Sequence, residues 1–221
     1  MLIKKDQYIF TLLQLYNELD GSHDQEVKES IDFLISKINQ TISNAEERSE
    51  LVAANFPVPS ELASLAQGIA IFSDGACRGN PGPGGWACLC QNHQGEILFE
   101  LCGAEALTTN NKMEMMGAIQ GFNRLKDIFI SDRLPIDVPV FLFSDSRYVI
   151  DGLSSWLDGW KRRGWKKADN KEPENIELWK LLDEFRSFFN NIKFIWVKGH
   201  AGHPQNEYCD KLATKSLAAM S

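Results

Sequence analysis

Gly68-Ile69-Ala70-Ile71-Phe72-Ser73-Asp74 and Val138-Pro139-Val140-Phe141-Leu142-Phe143-Ser144-Asp145 are the two stretches on which the reading of this chain turns. Each is an apolar run of strand length closed by Ser and then Asp, with a small residue next, Gly75 or Ser146. A continuous apolar run is what a strand covered on both faces requires. Two further strand-like runs, 86–91 and 96–103, follow the first, with Asn92, His93 and Gly95 as turn residues between them. Helical periodicity covers 111–126, 146–153, 175–189 and 204–219, and Phe194-Ile195-Trp196-Val197 supplies another strand. Three strands followed by alternating helices and strands predict an α/β fold with a mixed sheet and helices on its faces.

Around that sheet the chain has 221 residues, of which 43% are hydrophobic and 24% charged. This excludes disordered and collagen-like classes, and a chain of this length buries a core without disulfides or a structural metal. The formal net charge of −7 argues, taken alone, against a nucleic-acid partner. Its distribution is uneven. Residues 1–67 carry 5 Lys/Arg against 11 Asp/Glu, whereas residues 68–221 carry 18 against 19. All six Trp lie between Trp86 and Trp196.

The N-terminal piece shows helical spacing at Ile9, Leu12, Leu13 and Tyr16, with Gly21 as a stop. A second series runs through Val27, Ile31, Leu34, Ile38 and Ile42, and Ser43 with Glu46 opens a third segment. Residues 1–55 are therefore expected to form a small all-α acidic extension. Phe56-Pro57-Val58-Pro59-Ser60 breaks helix, so 56–67 is expected to be a linker and 68–221 the main domain. The extension reads equally as a hairpin packed on itself or on the main domain, and as a partner-binding or self-associating module.

Five Cys, an odd number with no C-x-x-C pair, suit buried thiols, and Cys88 and Cys90 share one face of a strand. A reducing, cytoplasmic compartment is expected. No stretch approaches the roughly 18 consecutive apolar residues that would span a membrane. Asp6, Gln7 and Gln14 interrupt the start where a secretory signal would need an unbroken apolar core.

Four acids stand out. Asp74 and Asp145 close the two apolar runs, where each strand is expected to leave the core and where ligands collect in α/β sheets. A single Asp in that setting is ordinarily a helix cap or turn residue; two alike are less easily dismissed. Glu114 heads a stripe of Ala118, Gly121, Phe122 and Leu125, and Asp210 heads one of Ala213, Thr214 and Leu217. Each is thus expected to face inward, where an unpaired carboxylate costs several kcal/mol. No Lys or Arg is obviously placed to pair with them, and oxygen ligands suit hard divalent cations, so Mg²⁺ explains the set better than salt bridges. His200, in the glycine-bearing loop Lys198-Gly199-His200-Ala201-Gly202-His203-Pro204, is of the type that moves protons near neutral pH, while His203 reads as structural.

Between the helices lies Trp156-Leu157-Asp158-Gly159-Trp160-Lys161-Arg162-Arg163-Gly164-Trp165-Lys166-Lys167. It is compatible with a charged helix whose Trp cover the core. Its concentrated cations with interleaved aromatics are also the composition that holds a nucleic-acid backbone.

At this point the motifs resemble a known family. Asp74-Gly75-Ala76-Cys77-Arg78-Gly79-Asn80-Pro81-Gly82-Pro83-Gly84-Gly85-Trp86 is similar to the first signature of type I ribonuclease H. Thr108-Thr109-Asn110-Asn111-Lys112-Met113-Glu114, Ser144-Asp145-Ser146-Arg147-Tyr148-Val149 and Trp196 through Asp210 resemble the others, in the family's order, over about 68 to 219. The resemblance implies the ribonuclease H-like fold, a five-stranded mixed sheet flanked by helices. It implies endonucleolytic hydrolysis of the RNA strand of RNA–DNA hybrids, leaving 5′-phosphate and 3′-hydroxyl ends. Asp74, Glu114, Asp145 and Asp210 would hold two Mg²⁺, with Mn²⁺ able to substitute, and His200 would assist proton transfer or product release.

By the same resemblance Asn80, Asn110 and Asn111 would meet the minor groove and 2′-hydroxyls, and Thr109 a DNA-strand phosphate. Tyr148 and Trp156 would line the DNA-strand channel, and Trp160, Lys161, Arg162, Arg163, Lys166 and Lys167 would form a basic protrusion. The chain departs from the pattern at Arg147, where an uncharged residue is common, at 131–137, which looks like a loop insertion, and in its acidic extension, which would repel duplex phosphates.

Overall fold

The run that begins at Ile69 forms the middle strand of the sheet in this computed structural model, which describes residues 56–219. The extension expected over 1–55 lies outside the described residues. The sheet has five strands: β1 (Ile69–Cys77), β2 (Gly82–Asn92), β3 (Ile97–Thr108), β4 (Val140–Ser144) and β5 (Ile192–Trp196). Their order is β3-β2-β1-β4-β5. β1, β2 and β3 pair antiparallel, and β4 pairs parallel with both β1 and β5.

The apolar character of β1 and β4 follows from this placement, because side chains of successive residues point to opposite faces and both faces are covered. Ile69 and Ile71 join Cys88, Cys90, Val140 and Leu142 on one face. There they pack under α2 (Asn110–Ser131) and α5 (Ile176–Phe188), with Phe122, Leu125, Trp179 and Leu182 buried. Ala70 and Phe72 join Ala87, Leu89, Phe141 and Phe143 on the other face, against Cys209 and Ala213 of α6 (Pro204–Ala218). Between β4 and α5 the chain forms α3 (Arg147–Asp151), a π-helical turn (Gly152–Trp156) and α4 (Leu157–Arg162). All five Cys are free thiols, and Cys88 and Cys90 are buried as their period-2 spacing predicts. No described helix is long and apolar enough to cross a membrane.

Two expectations change. The loop expected over 131–137 begins later, because α2 continues to Ser131 with Asp132 as its C-cap. The stretch 56–67 is not a free linker. It contains the short helix α1 (Ser60–Ala63), whose Leu62 is completely buried against the second face of the sheet. Phe56, Val58 and Leu65 pack against the same cluster. Gln91 Nε2 donates to the Phe56 carbonyl (3.1 Å), and Gln205 Nε2 donates to the Pro57 carbonyl (2.6 Å) and to Gln91 Oε1 (3.0 Å). The prolines keep the strap extended, which made it resemble a linker, but its apolar residues complete one layer of the core.

Leu62→Ala is therefore expected to lower the unfolding free energy by about 2–5 kcal/mol. Urea denaturation checks this, and a loss below about 0.5 kcal/mol would place the strap outside the folding unit.

Candidate active site

Asp74 does not end its strand as the sequence suggested. β1 runs on to Cys77, paired with β2 as Asp74↔Ala87 and Cys77↔Gly84. What ends is the parallel pairing, whose last pair is Phe72↔Phe143. The long antiparallel neighbour keeps β1 extended past the point where β4 stops, and Asp74 remains 7% exposed. Asp145 follows the last residue of β4, Ser144, so both acids belong to the same edge of the parallel layer.

Glu114 comes from the first turns of α2. This helix starts on Thr109, whose hydroxyl oxygen accepts from the Lys112 N–H (3.3 Å) in an ordinary N-cap. Gly75 lets the helix approach β1: a Cβ there would overlap the backbone of Met113 and Glu114. Asn110 Nδ2 donates to Glu114 Oε1 (2.8 Å) and Ser146 Oγ donates to Oε2 (2.5 Å). Ser146 also caps α3 by accepting from the Val149 N–H (3.2 Å), so one hydroxyl ties the start of α3 to the acid on α2.

Asp210 projects from α6 and is half-buried. Its helix buries Gln205, Asn206, Cys209, Ala213 and Leu217, while Thr214 is exposed, so Asp210 sits beside the buried stripe rather than within it. His200 Nδ1 lies 3.8 Å from Asp210 Oδ2, on an exposed loop where His200 takes a positive φ of 50°. His203 packs against Phe72 and Phe143, with ring centroids 5.6 and 5.9 Å away, and burial lowers its pKa. The structural reading of His203 fits that placement.

Burial is the largest cause raising the Asp74 carboxyl to a pKa of about 8, followed by the charge of Asp145. The Gly75 N–H, donating to Asp74 Oδ1 at 2.7 Å, opposes the rise, and Asp210 and Glu114 add to it. Burial likewise raises Glu114, against the hydrogen bond from Ser146. The four acids thus share one electrostatic site. Among the described residues no Lys or Arg forms an ion pair with any of them, and no three His, Cys, Asp or Glu close into a ready ligand shell. By donor chemistry the set fits a hard divalent cation: oxygens only, one carboxyl whose pKa is raised first by burial and then by neighbouring anions, and no Lys or Arg paired with it among the described residues.

The remaining candidates divide. Asn80, Thr109, Asn110 and Asn111 gather at the start of α2, where Asn80 Oδ1 accepts from the Asn110 N–H (3.3 Å). Tyr148 donates to the Glu174 carbonyl and accepts from Trp179 Nε1, both at 3.1 Å, and stands edge-on to Trp156. Trp156 keeps an exposed surface, and Arg162, Arg163 and Lys166 are exposed beyond it. Lys167 is half-buried, 4.0 Å from Asp169. One residue leaves the expected protrusion, and another, still exposed, is held by an ion pair. Trp160 is in the core, edge-on to Trp179 with centroids 5.4 Å apart, and Lys161 is paired with the nearly buried Asp183 at 2.6 Å. Both face α5, because α4 turns one side to that helix and a sequence rich in Trp and Lys does not mark which side.

Ser146, Trp196 and Gly199 had no place in the sequence reading of the site. Trp196 Nε1 donates to the Asp145 carbonyl (3.0 Å), and a Cβ on Gly199 would overlap the Asp145 carboxylate. Only the S-x-x spacing of Ser146 to Val149 was a usable signal, and it marks a cap rather than a tie to Glu114.

Two outcomes are expected. A carboxyl raised in the folded state favours folding below its unfolded pKa, and that contribution is lost as pH rises toward about 8. In EDTA the melting temperature should fall between pH 4 and pH 8, and Asp74→Asn should recover about 2–6 °C of it at pH 8. Gly199→Ala, which displaces the Asp145 carboxylate, should weaken divalent-cation binding by roughly 10–100-fold in calorimetry.

A model of the RNase H family matches residues 66–218. The ribonuclease H of Rhizobium meliloti (strain 1021) is 50% identical over 147 residues, covering 66% of this chain and 88% of that protein. Among solved structures, LC9-RNase H1, described as a type 1 RNase H with the type 2 active-site motif, is 32% identical with a TM-score of 0.56, over 69% of this chain and 73% of that one. LC11-RNase H1, solved in complex with an RNA/DNA hybrid, is 25% identical with a TM-score of 0.54, over 69% and 99%.

Proposed function

The chain belongs to the ribonuclease H family, and from that premise we propose how its residues divide the work of cutting RNA. It hydrolyses the RNA strand of RNA–DNA hybrids endonucleolytically, and we assign the products 5′-phosphate and 3′-hydroxyl ends. The observation that carries the assignment is the buried, anion-crowded Asp74 beside Glu114, Asp145 and Asp210, with no Lys or Arg paired to them among the described residues.

The family depends on divalent metal, and we assign Asp74, Glu114, Asp145 and Asp210 as the residues that would hold two Mg²⁺, with Mn²⁺ as a substitute. When bound, such ions supply Lewis-acid activation of the attacking water and charge stabilisation at the leaving 3′ oxygen. The protein's own part is placement. Asn110 and Ser146 fix both oxygens of Glu114, Trp196 and Gly199 fix Asp145 from two sides, and β1 holds Asp74 with little freedom. His200, exposed on its loop beside Asp210, is positioned to carry protons between the site and solvent.

Substrate discrimination falls to the amides. Asn80, Asn110 and Asn111 offer donors and acceptors to the 2′-hydroxyl that separates RNA from DNA, and Thr109 meets a phosphate. Tyr148, Trp156, Arg162, Arg163, Lys166 and Lys167 form the surface for the DNA strand, with Trp160 supporting it from the core and the exposed Lys161 anchored to Asp183. The acidic residues 1–55 would repel duplex phosphates, so we assign them no contact with the hybrid and leave a protein partner or a second copy as their candidate role. The five free thiols suit a cytoplasmic setting.

Labelled RNA–DNA hybrid, double-stranded RNA and double-stranded DNA, each with Mg²⁺ or EDTA, test the reading. Cleavage of the RNA strand of the hybrid alone, abolished by EDTA, is expected, and cleavage of the DNA duplex would sink it. Asp74→Asn should lower the rate at least about 100-fold while hybrid binding persists.

A further inference from the structure

One cation stands at the rim of the acid cluster without being consumed by it. Arg147 lies two residues past Asp145 and is the first residue of α3. Its guanidinium carbon sits 3.7 Å from the centroid of the Trp196 ring, well within the range of a cation–π contact. The same indole donates its N–H to the Asp145 carbonyl at 3.0 Å, so the shelf under Arg147 is fastened to an acid of the site. The remaining contact of Arg147 is with Asp151 at 3.7 Å, one turn along the helix, between side chains 61% and 41% exposed. A pair that long and that wet contributes little.

Two features need a reason. A cation in the first turn of a helix opposes the positive end of the helix dipole, so local energetics disfavour Arg at this position. A long, flexible cation two residues from Asp145 would also be expected to fold onto that carboxylate, yet among the described residues its ion pair is with Asp151 instead. Stacking resolves both. The ring takes the face of the guanidinium and leaves its in-plane N–H donors free, in a fork that matches phosphate oxygens. Arg147 is thereby kept off the acids and held where a polyanion must pass to reach them. The four acids repel that polyanion, so a fixed cation at their edge offsets a real barrier to approach.

We propose that Arg147, stacked on Trp196, is a positioning residue that grips a backbone phosphate of the RNA strand next to the bond being cut. We take the RNA strand as the partner because Asp145, two residues away and tied to the same indole, is among the acids assigned above to the metals that act on the bond being cut. This rests on the ribonuclease H reading above and adds a contact made by a residue that the family pattern leaves uncharged.

Hybrid cleavage by the full chain in Mg²⁺, measured between 50 and about 200 mM salt for wild type, Arg147→Gln and Arg147→Lys, tests it. Arg147→Gln should raise KM about five- to tenfold with kcat within about twofold, and lower the slope of log kcat/KM against log salt by roughly one. Arg147→Lys should keep the wild-type slope and recover only part of KM, since it has the charge without the fork. Unchanged KM and slope in Arg147→Gln would overturn the proposal. So would a raised KM with an unchanged slope, because a contact to a sugar hydroxyl releases no counterion, or a fall in kcat alone, which would mean that Arg147 orders the acids. Wild-type enzyme that fails to cut the hybrid would count instead against the proposed function, which separates the two failures. Melting temperatures equal to wild type confirm that either variant reports on substrate.

Discussion

A carboxyl group buried on the central strand, with three more acids around it, is the constraint the rest of the site serves. Asp74 is nearly out of solvent, and both burial and its neighbours favour the protonated form. A fold tolerates such a cluster only if the cost is borne by the surrounding core and relieved by a bound counter-charge. Here the core is a sheet covered on both faces, with Phe72 beneath one side of the site and Ile71 beneath the other. No described side chain supplies the counter-charge, which is the physical reason the site reads as one for divalent cations.

Holding four like charges near one another requires that none can turn away. Close approach and hydrogen bonding divide that task. Gly75 and Gly199 lack the atom that would keep α2 and the histidine loop at a distance, so Glu114 and Asp145 are pressed into place from the backbone side. Ser146 and Asn110 then occupy both oxygens of Glu114, and the Trp196 indole fixes the backbone of Asp145. The elements that carry the acids are thus tied to each other at the same points where they carry them.

Charge on this protein is arranged rather than averaged. The bulk value of −7 points away from nucleic acid, yet most of it belongs to residues 1–67, and four further negative charges are the acids of the site. What remains is positive and concentrated beyond Trp156, with Arg147 stacked on the Trp196 that is tied to Asp145. Lys161 shows why counting is insufficient: it belongs to the basic run in sequence but neutralises Asp183 in space.

Much was legible in the chain alone. Continuous apolar runs in β1 and β4 declare strands covered on both faces, and the small and apolar stripe below Glu114 declares an inward-facing acid; these are local patterns of period and burial. The strap at 56–65 was misread because proline reports backbone shape and says nothing about what the neighbouring Phe56 and Leu62 touch. Trp160 was misread because one helix offers both a core face and a solvent face to the same residue types. Sequence by itself determined the elements, the sheet class and the four acids. Only the tertiary structure decided that Asp74 lies within a strand that outlasts its parallel neighbour, that Ser146 reaches Glu114, and that Trp196 carries Arg147. The last two contacts join residues 32 and 49 positions apart, and spacing along a chain encodes periodicity within an element, not which distant side chains its packing brings together.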